Sequence, residues 1–219
     1  CPMLFMILNH SKKNVIKYIM VMKKSAKKLS WFTAGKIVVA NNKMQKNYKY
    51  KLTYSAGKKL RCGVDGVRYP NFKPKYTPQQ MLRMGVFEGK YCNDQTNEYP
   101  KEWFLTTRGK FNHKKFSIVK ANVDCNYFKV KSRLSLQEWR RKKWVPVHKS
   151  DKDLRGWFEW YCRYWLGRRN NDVDVIQIKR WRSFNRHYAQ FLKNTKGKGN
   201  HIHPKRRQAL IQWSYPCKD

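Results

Sequence analysis

Lys179, Arg182 and Arg186 recur at i, i+3 and i+7, with Lys193 two turns further on, so a helix over this stretch carries its cations as one stripe. Arg168-Arg169 precede it, Lys205-Arg206-Arg207 follow it, and Arg140-Arg141-Lys142-Lys143 form a fourth basic cluster upstream. Cations on successive turns suit the closely spaced phosphates of a nucleic acid and release its counterions. An arginine can also fork onto a guanine edge if the helix enters a major groove. A charge stripe is ordinarily a solvated helix face. Here, however, no Asp or Glu lies between Ile176 and Lys218 to balance it, which points to a polyanion-binding surface.

A second group of residues suits base stacking. In Trp157-Phe158-Glu159-Trp160-Tyr161-Cys162-Arg163-Tyr164-Trp165, aromatics alternate with charged residues. Helical spacing puts Trp157, Phe158, Tyr161 and Trp165 on one apolar face, the mark of a core. Trp160 falls off that face and Tyr164 at its edge, so these two are the expected stacking residues. Arg155, Glu159 and Arg163, four apart, are expected as ion pairs away from the apolar face.

A third set would do hydrolysis. Asp65, followed by Glu88-Gly89-Lys90, echoes the D…E-x-K pattern in which two carboxylates hold Mg²⁺ and a lysine steadies the attacking water or phosphate. Three residues of common type match by chance often. Other catalytic patterns are missing from the sequence: it has no P-loop, no dinucleotide fingerprint and no G-x-S-x-G elbow. Cys1, Cys62, Cys92, Cys125, Cys162 and Cys217 include no C-x-x-C pair, and His201-x-His203 stands alone, so no metal site is expected. Wide cysteine spacing suggests reduced, mostly buried thiols. Cofactors are expected to be none, with Mg²⁺ implied only by the nuclease alternative.

Composition narrows the partner. Lys and Arg number 50 against 13 Asp and Glu, a formal charge of +37 over 219 residues. A charge of this size opposes compaction unless polyanions or salt screen it. Carboxylate acid–base chemistry has few candidate residues, which argues against hydrolases of that kind. The apolar runs Met3–Leu8 and Val15–Met22 are far short of the ~20 residues that span a bilayer. Basic residues follow the first run instead of preceding it, so secretion is not expected and the chain reads as intracellular, in a nucleus, nucleoid, ribonucleoprotein particle or virion core.

The elements that would position these residues fall into three regions. Residues 1–30 read as a basic arm or a non-native extension, within a first 60 residues that hold no acid. Residues 31–130 read as a small mixed α/β region. Strands are expected at Ile37–Ala40 and Tyr48–Tyr54, joined through Asn41-Asn42. A helix starts at the Thr77-Pro78-Gln79-Gln80 capping box and stops at Gly85. A strand or hairpin follows over Gly85–Tyr91, then a turn at Cys92-Asn93-Asp94. Residues 131–219 carry seven of the nine Trp and read as a helical, basic unit of four helices. One opens at the Ser135–Glu138 capping box and one at the weaker Ser150–Asp153 box, which ends at Gly167. A third runs from about Asp172 past Tyr188, and the last begins at Pro204. The expected fold is α+β, a Lys-rich N-terminal part with short antiparallel strands followed by a compact Trp/Arg-rich helical unit.

The function these residues point to is binding of nucleic acid by basic helix faces on the phosphate backbone, DNA preferred over structured RNA, with no membrane partner. One alternative is a Mg²⁺-dependent nuclease or base-acting enzyme. A second is a structural component of a virion core or ribonucleoprotein particle.

Overall fold

The short apolar run Ile37–Ala40 (β1) and the alternating Tyr48–Lys51 (β2) form a hairpin with one face inward. They pair antiparallel, Ile37 opposite Lys51 and Ala40 opposite Tyr48. Val38, Ala40 and Tyr50 are buried, whereas Ile37 and Val39 stay exposed. The computed structural model describes residues 31–94, 97–105, 112, 120–143, 153–196 and 202–217. The loop between the strands is shaped by Asn42, whose Oδ1 accepts the N–H groups of Met44 and Gln45 at 2.9 and 3.0 Å, a side chain mimicking a backbone turn.

The second strand is shorter than its Tyr48–Tyr54 alternation suggests, because the chain changes partner. Leu52 forms an isolated bridge with Arg168, and the N–H groups of Thr53 and Tyr54 both donate to the carbonyl of Gly167, at 2.9 and 3.1 Å. The hairpin is thus stitched to the end of a helix over 100 residues away in sequence.

Helix α1 (Pro78–Arg83) has the expected capping box: Thr77 accepts from the Gln80 N–H, and the Gln80 side chain accepts from the Thr77 N–H. Gly85, at φ 75°, turns the chain out of it. The strand expected next is absent. Val86–Gly89 is a 3₁₀ turn in which Phe87 and Glu88 both take left-handed backbone angles (φ 57° and 61°). A strand would point these neighbours to opposite faces, but both side chains are buried. The turn is held by Asn126, whose Oδ1 accepts the Glu88 N–H at 2.8 Å, and by the 3.0 Å ion pair of Glu88 with Arg133. Tertiary partners override the local β preference.

Among the described residues the C-terminal part contains five helices. Helix α2 (Leu136–Arg141) has the predicted Ser135–Glu138 box. Helix α3 (Trp157–Leu166) begins after Gly156, later than its sequence suggested, because Asp153 is drawn into an ion-pair cluster instead of capping. Residues 150–152 of that second box, like the 1–30 arm and His201, lie outside the described residues. Gly167 closes α3 at φ 114°. The long third helix is two. Helix α4 (Asn171–Ser183), capped by the Asn170 side chain, ends at Phe184, and α5 (Asn185–Thr195) starts there. The break lets Trp181 and Phe184 both reach the Trp213–Tyr215 segment: Trp181 stacks on Tyr215 and Phe184 on Trp213, with centroids 4.9 and 5.0 Å apart. Helix α6 (Pro204–Gln212) starts with Pro204 in its first turn, as read from the sequence.

Helix α3 is the axis of this α+β fold. Strand residues, α1, the 86–104 turns and the C-terminal helices contribute to one hydrophobic cluster around it. Phe72 sits edge-on to Trp160, Tyr161, Tyr164 and Trp181, with centroids 5.1–6.2 Å away. Such edge-to-face contacts add to the burial of the rings themselves. Cys92, Cys125, Cys162 and Cys217 are buried free thiols and Cys62 is half-buried.

The Gly167 junction makes a sharp prediction. A Cβ there would lie 1.7 Å from the Tyr54 carbonyl oxygen, and the backbone is left-handed as well. Gly167→Ala is expected to cost more than about 3 kcal/mol, as backbone strain and steric overlap combine. Gly66→Ala, also left-handed but with nothing within 4 Å, should cost only about 1–2 kcal/mol. Urea denaturation of both variants measures the difference, and equal losses would refute it.

Candidate nucleic-acid interface

The basic residues singled out by the sequence divide into two populations. Arg168, Arg169 and Arg207 are buried and structural, so they are not available to phosphates. Arg168 grips Asp153 with two bonds, 2.9 and 2.6 Å. Arg169 lies 3.6 Å above the Tyr164 ring and donates to the carbonyls of Lys59, Cys62, Tyr164 and Arg168. Arg207 stacks over Phe191 and donates to the carbonyls of Ile202 and Cys217. Apart from Asp153 these partners are carbonyls and rings, with those of Arg169 at Lys59 and Cys62 over 100 residues away, so a search for nearby acids does not reveal them. The remainder, Lys179, Arg182, Arg186, Lys205, Arg206 and Arg140–Lys143, are exposed.

Trp160 and Tyr164 are also corrected: neither is a stacking platform, since both are fully buried. Trp160 donates its indole N–H to Asp174 at 2.8 Å, and Tyr164 donates to the Leu60 carbonyl at 2.9 Å. The amphipathic reading fails because α3 is covered on every side, by loops on the face that periodicity marked as outer.

Arg155, Glu159 and Arg163 share that fate. Arg163 is fully buried and contacts Glu98 (2.6 Å), Asp153 (3.1 Å), Glu159 (3.5 Å) and the Gln45 side chain (2.9 Å). Tyr50 donates to the same Glu98 at 3.0 Å. Burial alone would raise the Asp153 carboxyl, but the charges of Arg168 and Arg163 outweigh it and hold Asp153 below the ordinary carboxylate range. Glu159 goes the other way: burial pushes it up, only partly opposed by Arg163. That shift relieves a cluster holding three carboxylates against two guanidinium groups.

The residues proposed for hydrolysis are arranged differently from the nuclease pattern. Glu88 is buried in its ion pair with Arg133, in a turn instead of a strand, whereas Asp65 and Lys90 are exposed. No group of three or more His, Cys, Asp or Glu able to hold a metal occurs among the described residues. Glu88 thus acts as a positioning residue for Arg133.

What Arg133 borders is a groove of about 1020 Å³ between the 131–139 segment, α4, the start of α5 and α6. Six aromatic residues line it: Phe87, Trp139, Trp157, Phe158, Phe184 and Trp213. Seven Lys and Arg side chains line it too, against the single carboxylate of Glu138. Lys131, Lys179, Arg186 and Lys205 among them are exposed, and Trp139, Phe184 and Trp213 are half-buried. Trp157 Nε1 and Gln212 Oε1, on lining side chains, have no hydrogen-bond partner. An unpaired buried donor or acceptor costs about 1–3 kcal/mol. Arg182 borders a neighbouring hollow of about 610 Å³, shared with Lys179. The break at Phe184 shapes all of this, since it puts Lys179 on one helix and Arg186 on the next around a common groove. Sequence reasoning missed Lys131, Arg133, Trp139 and Phe184 as groove residues. The Ser135 box hinted that the segment of Trp139 was ordered, and Phe184 fell within the third helix expected from the sequence.

No protein-family model, curated protein or solved structure matches the chain. Among the described residues no helix is long and apolar enough to cross a membrane.

The Arg163 cluster predicts an acid response. A carboxyl depressed on folding, Asp153, contributes stability that is complete above the ordinary aspartate pKa of about 4 and is lost as pH falls through its lower folded value. A carboxyl raised on folding, Glu159, contributes stability that is lost as pH rises through its folded value. At pH 7 Asp153→Asn should therefore cost about 3–5 kcal/mol, the penalty of an orphaned buried charge, and Glu159→Gln distinctly less. The gap between wild type and Asp153→Asn should narrow below about pH 4. Denaturant midpoints across pH test it, and a gap independent of pH would show that Asp153 is not held ionised.

Proposed function

We propose that the protein binds nucleic acid, seating the phosphate backbone on the exposed cations of α4, α5 and α6 that border the groove. The observation that carries this reading is the makeup of the groove: six aromatics and the exposed cations Lys131, Lys179, Arg186 and Lys205 with the single carboxylate of Glu138, while Arg133 and Arg155 on its lining are paired with Glu88 and Asp94. Cations on a rim supply the salt-dependent phosphate attraction common to nucleic-acid-binding surfaces. Lys179, Arg182, Arg186, Lys205 and Arg206 are the principal contacts, and the exposed Arg140–Lys143 cluster at the end of α2 extends them. Duplex DNA, single-stranded DNA and RNA are all within its scope.

The test is fluorescence anisotropy with labelled strands over a salt series. Affinity should fall steeply with salt. Replacing Lys179, Arg182 and Arg186 together by Ala should weaken binding and reduce the log–log salt slope by about 2–3, roughly 0.7–0.9 for each phosphate left without its cation. Thermal stability should move little, as these side chains are exposed. Unchanged affinity and slope in the triple variant would overturn this assignment of the surface.

A further inference from the structure

Resting on that reading, we infer that the groove takes an unpaired nucleobase, so that the preferred ligand is a single strand or an unpaired loop and not a continuous duplex. The rings of the groove form two separate clusters. On the helical side Trp157 packs on Trp213 and Trp213 stacks on Phe184, with centroids 5.2 and 5.0 Å apart. On the other side Phe87 packs on Phe158 at 5.3 Å and edge-on to Trp139 at 6.4 Å. Among the described residues no ring contact joins Trp213 or Phe184 to Phe87 or Trp139. Both clusters line the groove, whose volume of about 1020 Å³ is at the upper end of what pockets for small ligands enclose.

A flat π-system between two ring clusters gains stacking on both sides, and cations at the rim hold the phosphate attached to it. Duplex bases are already stacked on one another and show only their edges. An unpaired base is the nucleic-acid component that supplies a free π-face together with a phosphate. A base edge also carries both a donor and an acceptor, the complements of Gln212 Oε1 and Trp157 Nε1, which lack partners among the described residues. Both atoms are shut off from solvent, so they pair only if the incoming ring displaces the wall. Stacking between the clusters does not require that step.

The experiment compares three labelled ligands of about 12 nucleotides, within the usual single-strand site sizes, on the full chain: an intact single strand, its duplex, and a strand of the same charge with abasic positions throughout. The intact strand is expected to bind about tenfold or more tighter than the abasic one, the range that base–aromatic stacking commands. Phe184→Leu and Trp139→Leu should each bring the affinity for the intact strand closer to that for the abasic one. Equal affinity for the intact and abasic strands would overturn the base site, with steep salt dependence still supporting the phosphate surface. Failure of all three ligands to bind would overturn both readings. The abasic comparison uses the wild-type chain and does not depend on either variant folding.

Discussion

A guanidinium with no exposure to water, Arg163, fastens segments that nothing local would bring together. Glu98 comes from the loop before the 101–104 turn, Gln45 from the hairpin, Asp153 from the approach to α3 and Glu159 from α3 itself. A buried arginine without these partners would face a desolvation cost of several kcal/mol, and the partners without it would be just as costly. The cluster therefore fixes where the hairpin and the loops sit on α3. Arg168 extends it through Asp153 to the Gly167 junction, where the chain of the hairpin meets the end of the helix.

That arrangement has a consequence for the surface. Of the 13 carboxylates in the chain, Glu88, Glu98, Asp153, Glu159 and Asp174 are buried. Each faces a guanidinium, a tyrosine, an indole or a backbone N–H in the interior. No lysine is among the buried residues described. Five arginines, Arg155, Arg163, Arg168, Arg169 and Arg207, are buried with these five acids, so the buried charges balance and the whole positive excess is left to the rest of the chain. A surface of this kind repels itself in the absence of counter-charge, which is the physical ground for a polyanionic partner.

The groove depends on the same interior. Its floor is the outer edge of the aromatic core, as Trp157 and Phe158 belong to α3 and pack inward on Tyr161 and Tyr91. Its walls are set by two departures from regular structure. One is the left-handed turn at Phe87-Glu88, with Glu88 aligning Arg133, and the other is the break at Phe184 between α4 and α5. Left-handed angles at two successive residues other than glycine cost energy that the surrounding structure must offset, and such strain gathers at functional sites.

Residues with a short-range physical cause were legible in the sequence. The Thr77 and Ser135 capping boxes, the stops at Gly85 and Gly167, the start at Pro204 and the alternation of β2 all follow from hydrogen bonds, dihedral limits or side-chain period that span a few residues. The overall basic excess and the four basic clusters were legible too. Which of those cations are exposed was not. Arg168, Arg169 and Arg207 differ from Arg182 and Arg186 in finding carboxylates, carbonyls or rings in other segments of the fold, and helical periodicity holds no record of such partners. Trp160 and Tyr164 were misplaced for the same reason: a helix surrounded on all sides has no polar face, and only tertiary structure supplies the surrounding segments. Sequence alone thus determined the helix ends that carry a local cap, at Thr77, Ser135, Gly167 and Pro204, and the sign of the charge. The tertiary structure decided which charges and rings remain at the surface, because burial is settled by contacts between residues far apart along the chain.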